Sequence, residues 1–228
     1  MKAMDGQKKG YKGLPMEGIV ARWYATLRRT KSQIDVYRKQ AAQLTVDLPE
    51  GADVLEVAPG PGYLAIEIAR RGRFHVTGLD ISHSFVEIAR ENALQAAVAV
   101  DFKHGNAASM PLEAESFDLI VCQAAFKNFA QPVSALNEMH RVLRDGGTAV
   151  IQDMSRDASG ADIDTEIRTA ELGPLNGFIT RCTLRMLRRR AYSPARFERL
   201  VAESAFRTCH IQTEGIGLEV RMKKQVAA

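Results

Sequence analysis

The sequence has few of the residues that would hold a fold together through covalent bonds or metals. Only three cysteines occur in 228 residues, and no C-x-x-C pair is present, so neither a disulfide framework nor a zinc site is predicted. No apolar run approaches the roughly 18 residues that a membrane span needs. Residues 1–13 are rich in Lys and Gly and have no apolar core of a secretion signal. These absences predict a cytoplasmic chain with a flexible tail at residues 1–13 and without an integral membrane span.

The charge balance is equally unspecific. The 31 basic and 27 acidic residues give a formal net charge of +4, which is too small to predict binding to nucleic acid. The chain is 46% hydrophobic and 25% charged, as is typical of a globular protein that buries a sizeable core. Length and composition therefore predict one α/β domain.

The most informative stretch is residues 54–65, with the sequence VLEVAPGPGYLA. Its first residues favour a buried strand, Gly60 and Gly62 allow a sharp turn with close ligand approach, and a helix is predicted from Tyr63. The free N–H groups at a helix start favour an anionic ligand group. A strand, a glycine turn and a helix in this order predict a nucleotide site.

Two classes of nucleotide fit this stretch. Gly60, Gly62 and Ala65 match the G-x-G-x-x-A pattern of dinucleotide-binding proteins. The longer segment from Glu56 to Gly62 resembles the E-x-G-x-G-x-G signature of class I methyltransferases that use S-adenosylmethionine (SAM). Ala58 stands where that family usually has its first glycine.

Further candidates for cofactor binding follow the second and third predicted strands. Asp80 ends the second strand, where one carboxylate can accept hydrogen bonds from both ribose hydroxyls of SAM or NAD. Ile81 follows, on the predicted adenine face. The G-N-A segment at Asn106 resembles the family's G-D-A turn, which implies that Asn106 accepts a bond from the adenine amino group and that the Ala107 N–H serves a ring nitrogen. The alternative is that Asn106 is a loop residue in the left-handed conformation.

Later segments resemble the same family in the same order. They are the M-P-L turn after Asn106, S-F-D-L-I-V in the fourth strand, R-V-L-R-D-G-G before the fifth strand, and two closing strands. The resemblance covers residues 21–221. It implies a Rossmann-like, doubly wound α/β fold with seven strands in the order 3-2-1-4-5-7-6, mostly parallel with a C-terminal antiparallel hairpin. We expect a helical cap at residues 14–50 and a SAM-binding domain at residues 51–228.

The end of the fourth strand is expected to contribute to both the cofactor rim and the acceptor pocket. Gln123 is assigned to the cofactor, and Phe126, Lys127 and Asn128 to the acceptor pocket, because ligands of open α/β sheets bind at the carboxyl ends of the strands. Many relatives have a histidine near the position of Lys127. Two interpretations stay open for this lysine: contact with an anionic acceptor, or a solvated loop position.

The sequence offers Tyr24 and Asp153 as catalytic candidates, with His104 as a weaker one. Residues 19–24 resemble the A-x-x-Y segment of ubiquinone/menaquinone-type C-methyltransferases, in which the tyrosine lies over the methionine end of SAM. The alternative is that Tyr24 only packs a helix onto the core. Asp153 ends the fifth predicted strand and is a candidate general base. The N-P-P-Y motif of enzymes that methylate nucleic acid amino groups is absent after the fourth strand, so a small-molecule acceptor is expected.

Residues 155–192 form an insert, acidic in its first half and arginine-rich in its second. The resemblance implies a lid over the acceptor pocket. The arginines at positions 181–190 either face water or make a weak peripheral contact with an anionic membrane surface.

The predicted function is transfer of a methyl group from SAM to a small, hydrophobic acceptor by in-line substitution. One alternative is an NAD(P)-dependent oxidoreductase, favoured by the G-x-G-x-x-A pattern and Asp80. Another is a SAM-binding protein without catalysis, favoured by the departures at Ala58, Asn106 and Lys127. The sequence leaves open the acceptor, the methylated atom and the oligomeric state.

Overall fold

A computed structural model describes residues 10–12, 16–169 and 174–226. The helices are α1 (Gly18–Arg28), α2 (Lys31–Leu44), α3 (Tyr63–Ala69), α4 (His83–Gln95), α5 (Pro132–Val142), α6 (Gly160–Thr169), α7 (Pro174–Arg188) and α8 (Pro194–Ala202), with a 3₁₀ turn at Phe126–Asn128. The strands are β1 (Asp53–Val57), β2 (His75–Asp80), β3 (Asp101–His104), β4 (Phe117–Gln123), β5 (Leu143–Met154), β6 (His210–Glu214) and β7 (Gly217–Lys223).

The strands form one seven-stranded sheet in the order β3-β2-β1-β4-β5-β7-β6. Strands β1 to β5 pair in parallel, whereas β7 runs antiparallel to both β5 and β6. The fold and strand order predicted from the sequence are therefore confirmed. The strand order reverses between β1 and β4, and the carboxyl ends of the strands beside such a reversal flank the crevice where α/β sheets bind ligands.

Alternate residues along the central strands bury their side chains in two separate cores. Val54, Val121 and Val150 belong to the core that includes residues of α2, α3 and α4. Leu55 and Ile120 belong to the core on the opposite face, which includes residues of α5 and α8. Strands buried on both faces explain the continuous apolar runs in the sequence.

Two predicted segments outside the sheet have defined structure. The segment predicted to form a helical cap, residues 14–50, contains α1 and α2, and the predicted insert at residues 155–192 contains α6 and α7. Within the predicted tail, Tyr11 pairs with Phe129 in an isolated antiparallel bridge, while residues 1–9 and 13 lie outside the described residues. No helix in the described ranges has the length and apolarity to cross a bilayer.

Candidate functional site

The loop after β1 follows the path that its glycines permit. Gly60 and Gly62 have φ angles of 55° and 80°, in the left-handed region that favours glycine. A Cβ atom on Gly62 would lie 2.6 Å from Cζ of Phe102, so this position also requires glycine for packing. Ala58 has a φ of 58°, which costs an L-residue about 1–2 kcal/mol. Alanine thus keeps a left-handed backbone at the point where the family usually has glycine.

Asp80 ties the end of β2 to this loop. Its carboxylate accepts hydrogen bonds from Gly60 N at 2.9 Å and Ser82 N at 2.8 Å, and the residue is buried. Burial raises the pKa of Asp80 to about 6, although these two N–H donors act to lower it. Each carboxylate oxygen has a second acceptor position, so the side chain can hold the loop and still accept ribose hydroxyls.

Glu56 lies below the same loop and is also buried. Its Oε2 atom accepts a hydrogen bond from Ala65 N at 2.8 Å, so this N–H group at the start of α3 is bonded within the protein and not free for a ligand. Burial raises the pKa of Glu56 to about 8, more than the bond from Ala65 lowers it. The carboxyl is therefore mostly neutral near pH 7, and a cation bound beside it would favour the ionised form.

The predicted adenine contacts lie against the chain's own N-terminal residues. A Cβ atom on Gly10 would be 2.5 Å from Cδ1 of Ile81 and 3.0 Å from Nδ2 of Asn106. The Oδ1 atom of Asn106 accepts a bond from Ala108 N at 2.9 Å. Asn106 is not among the residues with positive φ, so the left-handed alternative is wrong. Ala107 is partly buried and packs against the core that contains Leu55 and Ile120.

Tyr11 has no role in the sequence analysis, but the structure pairs it with Phe129 in the loop after β4. Burial raises the pKa of Tyr11, the charges of Tyr24 and Asp80 act in the same direction, and Arg190 acts to lower it. Tyr24 packs its ring edge-on against Phe85, with centroids 5.8 Å apart. Tyr24 therefore lies beside the start of α4, which follows β2, whereas Tyr11 is bridged to Phe129 after β4. No motif marks Tyr11, because its position depends on a bridge to Phe129, far away in sequence.

The ends of β4 and β5 are joined by a buried ion pair. Lys127 Nζ lies 2.6 Å from Oδ1 of Asp153, and the two side chains are only 5% and 4% exposed. The same ammonium donates to Ala124 O at 2.5 Å, and Lys127 N donates to Oδ2 of Asp153 at 3.1 Å. The interpretation of Lys127 as a solvated loop lysine is wrong. The Asp153 carboxylate is held by Lys127 through both of its oxygens.

The other two predicted acceptor-pocket residues have different environments. Phe126 is fully buried and stacks on Phe197 with centroids 5.0 Å apart, so it belongs to the core and not to the wall of an open pocket. The sequence did not distinguish these roles because an aromatic residue is common in both. Asn128 is half-buried, and its carbonyl oxygen accepts a bond from Lys12 N at 2.8 Å.

Beside the ion pair, a groove of about 780 Å³ opens at the carboxyl ends of β4 and β5 and along the β6–β7 hairpin. Its walls mix amide, carboxylate and apolar side chains: Gln40, Gln123, Gln152, Asp153, Met154, Gln212, Glu214, Ile216, Leu218 and Glu219. The Oε1 atoms of Gln40 and Gln152 are buried and have no hydrogen-bond partner among the described residues. Gln123, which the sequence analysis assigned to the cofactor, lines this groove.

These residues fit an adenosyl amino acid. The Asp80 carboxylate suits a ribose, the open space above Gly60 suits a close approach to the backbone, and the neutral Glu56 carboxyl can ionise beside a positive group. The groove lies at the ends of β4 and β5, whereas Gly60 and Asp80 lie at the ends of β1 and β2.

Comparison with known proteins agrees with this geometry. Residues 55–151 match a family model described as a methyltransferase domain. A demethylmenaquinone methyltransferase of Deinococcus radiodurans is 33% identical over 158 residues, which cover 68% of this chain and 66% of that protein. Across several such matches, the chain spans about half to two thirds of the length of the curated relatives.

Two solved structures extend the comparison. A protein of Methanococcus maripaludis, proposed to be a SAM-dependent methyltransferase, superposes with a TM-score of 0.73 at 20% identity and covers 95% of this chain and 97% of its own. The [4+2]-cyclase SpnF is 28% identical, with a TM-score of 0.53 over 58% of this chain and 50% of its own. The first likeness shows the fold, and the second shows that a similar chain carries a cyclase activity.

Proposed function

Because the chain belongs to the class I SAM-dependent methyltransferase family, we propose that it transfers a methyl group from SAM to a small, hydrophobic acceptor. The acceptor is not a nucleic acid in this proposal, and the insert with α6 and α7 acts as the lid of its pocket. We place the reaction in the cytoplasm, where SAM is made.

One observation carries the proposal. The buried Asp80 carboxylate and the backbone of Gly60 are joined at 2.9 Å, at the ends of two adjacent strands beside the reversal of strand order. A carboxylate with spare acceptor capacity, fixed against an open glycine turn, is suited to hold the ribose of a nucleoside. The buried Glu56 carboxyl can ionise beside the positive groups of SAM and attract them, whereas the diphosphate of a nicotinamide dinucleotide would keep Glu56 protonated and gain no such attraction.

The acceptor is inferred from the groove and from the relatives. Demethylmenaquinone, named for the relatives, is a naphthoquinone whose reduced form has ring hydroxyls and a long apolar tail. The amide side chains of Gln40, Gln123 and Gln152 line the groove and offer polar groups to such hydroxyls, and Met154, Ile216 and Leu218 supply apolar wall. We therefore propose a quinol-type acceptor, methylated at ring carbon or oxygen.

The chain contributes mainly by positioning the two reactants. SAM supplies a methyl group on a sulfonium and leaves as a neutral thioether, so no acid is required. Holding an acceptor in line in the groove can lower the barrier by about 7–11 kcal/mol. The proposed proton acceptors are Asp153, which lines the groove in its pair with Lys127, and Tyr24 on the cofactor side.

A transfer assay tests the proposal. The full chain is incubated with SAM labelled in its methyl group and with a reduced, short-chain demethylmenaquinone, and label is counted in the organic extract. Enzyme-dependent label in the quinol, lost in an Asp80→Ala variant, is the expected result. SAM binding without label transfer to any quinol would contradict it and favour a binding protein or a reaction of another kind, as in the cyclase.

A further inference from the structure

Helix α1 presents an apolar face to solvent. Ile19 is 87% exposed and Trp23 is 61% exposed, and Val20 and Leu27 are also exposed. Their spacing places these four side chains on one side of the helix. The opposite side buries Ala21 and Ala25 in a small cluster with residues of α4. Four large apolar side chains on one helix face are more than the scattered exposure that is normal for a protein surface.

Helix α7 has a second face of the same kind. Phe178 is 64% exposed, and Ile179 and Met186 are exposed beside it. The inner side of the helix packs Leu184 and Leu187 into a cluster that contains Met154. Helical periodicity therefore divides α7 into a core side and an apolar side that faces water.

Both helices lie at the carboxyl edge of the sheet. Helix α1 begins beside the end of β2, where Ser82 Oγ donates to Met16 O at 2.6 Å and Gly18 N donates to Ser84 Oγ at 2.8 Å. Helix α7 packs near Met154, the last residue of β5. Nζ of Lys12, which precedes α1 in the chain, donates to the hydroxyl of Tyr192, which follows α7, at 3.2 Å. Both helices therefore lie on the side of the sheet at which the crevice opens.

The charges beside α7 indicate what covers these faces. Arg185, Arg189 and Arg190 are exposed, and none of them forms an ion pair with a carboxylate within the described part of the chain. An apolar helix face bordered by arginines is complementary to a bilayer with anionic headgroups. Symmetric pairing of two copies through α7 would bring the same arginines together, which disfavours self-association.

We propose that α1 and α7 form a docking surface for an anionic lipid bilayer. Ile19, Trp23 and Phe178 enter the headgroup boundary, and Arg185 and Arg189 contact the lipid phosphates. The surface would bring the crevice to a bilayer from which an apolar reactant can enter. Docking itself needs neither SAM nor an acceptor, so it stands apart from the proposed methyl transfer.

Trp23 gives a direct measurement, because it is the only tryptophan of the chain. The full chain, without SAM, is titrated with vesicles of equal parts phosphatidylglycerol and phosphatidylcholine. We expect a blue shift of the Trp23 emission that weakens as salt is added, and no shift with phosphatidylcholine alone. An unchanged spectrum with the anionic vesicles would overturn the proposal.

Vesicle co-sedimentation of variants tests the two parts of the surface. Ile19→Ser with Phe178→Ser removes apolar contacts, and Arg185→Glu with Arg189→Glu removes charge. Each arginine is worth about fivefold in partitioning, and because Arg→Glu also adds a negative charge, each substitution should lower vesicle partitioning by more than about fivefold. The matched controls are Val46→Ser with Leu94→Ser and Arg71→Glu with Arg73→Glu, which alter exposed residues near the amino ends of the strands. Equal losses in test and control variants would overturn the assignment to α1 and α7.

Two further readouts separate this proposal from its competitors. A concentration-dependent dimer that Ile19→Ser with Phe178→Ser dissolves, seen by sedimentation velocity, would assign the surface to a second copy instead. Calorimetric titration with SAM is run on every variant. Normal SAM binding without vesicle binding overturns docking alone, whereas vesicle binding without methyl transfer overturns the proposed function alone.

Discussion

The two sides of the crevice are built differently. At the ends of β1 and β2 the site is mostly backbone: a glycine turn held by the Asp80 carboxylate, which accepts from Gly60 N and Ser82 N. At the ends of β4 and β5 the site depends on an ion pair between the side chains of Lys127 and Asp153, both of which are buried. The first side can bind one fixed cofactor through local geometry, whereas the second depends on residues brought together only by folding.

Both sides contain one strained alanine just after a central strand. Ala58 follows β1 with a φ of 58°, and Ala124 follows β4 with a φ of 54°. Non-glycine residues with such positive φ angles persist where the surrounding structure holds them, and they are frequent at functional sites. The two loops are held differently: the Asp80 carboxylate binds backbone N–H groups of the loop after β1, and the Lys127–Asp153 ion pair holds the loop after β4.

The largest effect is expected from breaking the ion pair. Lys127→Met leaves the Asp153 carboxylate buried without its partner, and we expect the free energy of unfolding to fall by about 3–5 kcal/mol in urea denaturation. Combining it with Asp153→Leu should recover most of the loss, because no charge then remains buried. If Lys127→Met lowered the free energy of unfolding by less than the double variant does, the loss would not come from an unpaired buried carboxylate.

The next largest effect is expected on cofactor affinity. Asp80→Ala removes a carboxylate that holds the loop and is proposed to accept the ribose hydroxyls. Two lost charge-assisted hydrogen bonds should weaken SAM binding about 100-fold or more in calorimetry. The control is Asp101→Ala, which removes an exposed carboxylate at the start of β3 and should leave the affinity unchanged. An unaltered affinity in Asp80→Ala would place the cofactor elsewhere.

The pH dependence of binding isolates Glu56. Its pKa of about 8 means that the free protein holds a proton there near pH 7, and the positive groups of SAM should lower that pKa. Binding should then release a proton, and affinity should rise with pH up to about 8 and level off above it. Calorimetry in buffers of different ionisation enthalpy measures the release. In Glu56→Gln the release should vanish, and its persistence would assign the proton to another group.

A smaller effect is expected from the N-terminal cover. Gly10→Val places side-chain atoms where Ile81 and Asn106 lie, so residues 10–12 should move off the predicted adenine face. We expect SAM affinity to weaken by less than about tenfold, which is typical of losing a peripheral contact. Gly160→Val is the control, because a Cβ atom there meets nothing within 4 Å. Tighter binding in Gly10→Val would mean that the segment occupies the adenine position and does not cover it.

The smallest effect concerns the strained alanines. Glycine adopts a positive φ without the steric cost but loses more entropy on folding. Ala58→Gly and Ala124→Gly should therefore each raise the free energy of unfolding by about 0.5–1 kcal/mol, measured by urea denaturation. A loss of stability in either variant would show that the alanine methyl group makes contacts that outweigh the strain.

The sequence predicted the cofactor side better than the acceptor side for a physical reason. Glu56, Gly60 and Asp80 lie at the ends of adjacent strands, and strand-end spacing in a parallel sheet is a local property. Their roles as SAM contacts remain predictions, but their positions around one turn follow directly from the pattern. The seven-strand order followed from the family resemblance.

The remaining features depend on long-range packing. The burial of Lys127 required Asp153, and the position of Phe126 in the core required Phe197, which no spacing rule connects to it. The placement of residues 10–12 against Ile81 required a bridge to Phe129. A lysine in a predicted loop is expected to be exposed to solvent, because lysine is rarely buried without a partner. Only the contact with Asp153 in the folded chain shows that Lys127 is buried.

Calorimetric titration of the full chain with S-adenosylhomocysteine, the product left after methyl transfer, tests the central claim most directly. One saturable site per chain, with no heat from NADH under the same conditions, is the predicted result. Binding of NADH without binding of S-adenosylhomocysteine would contradict it.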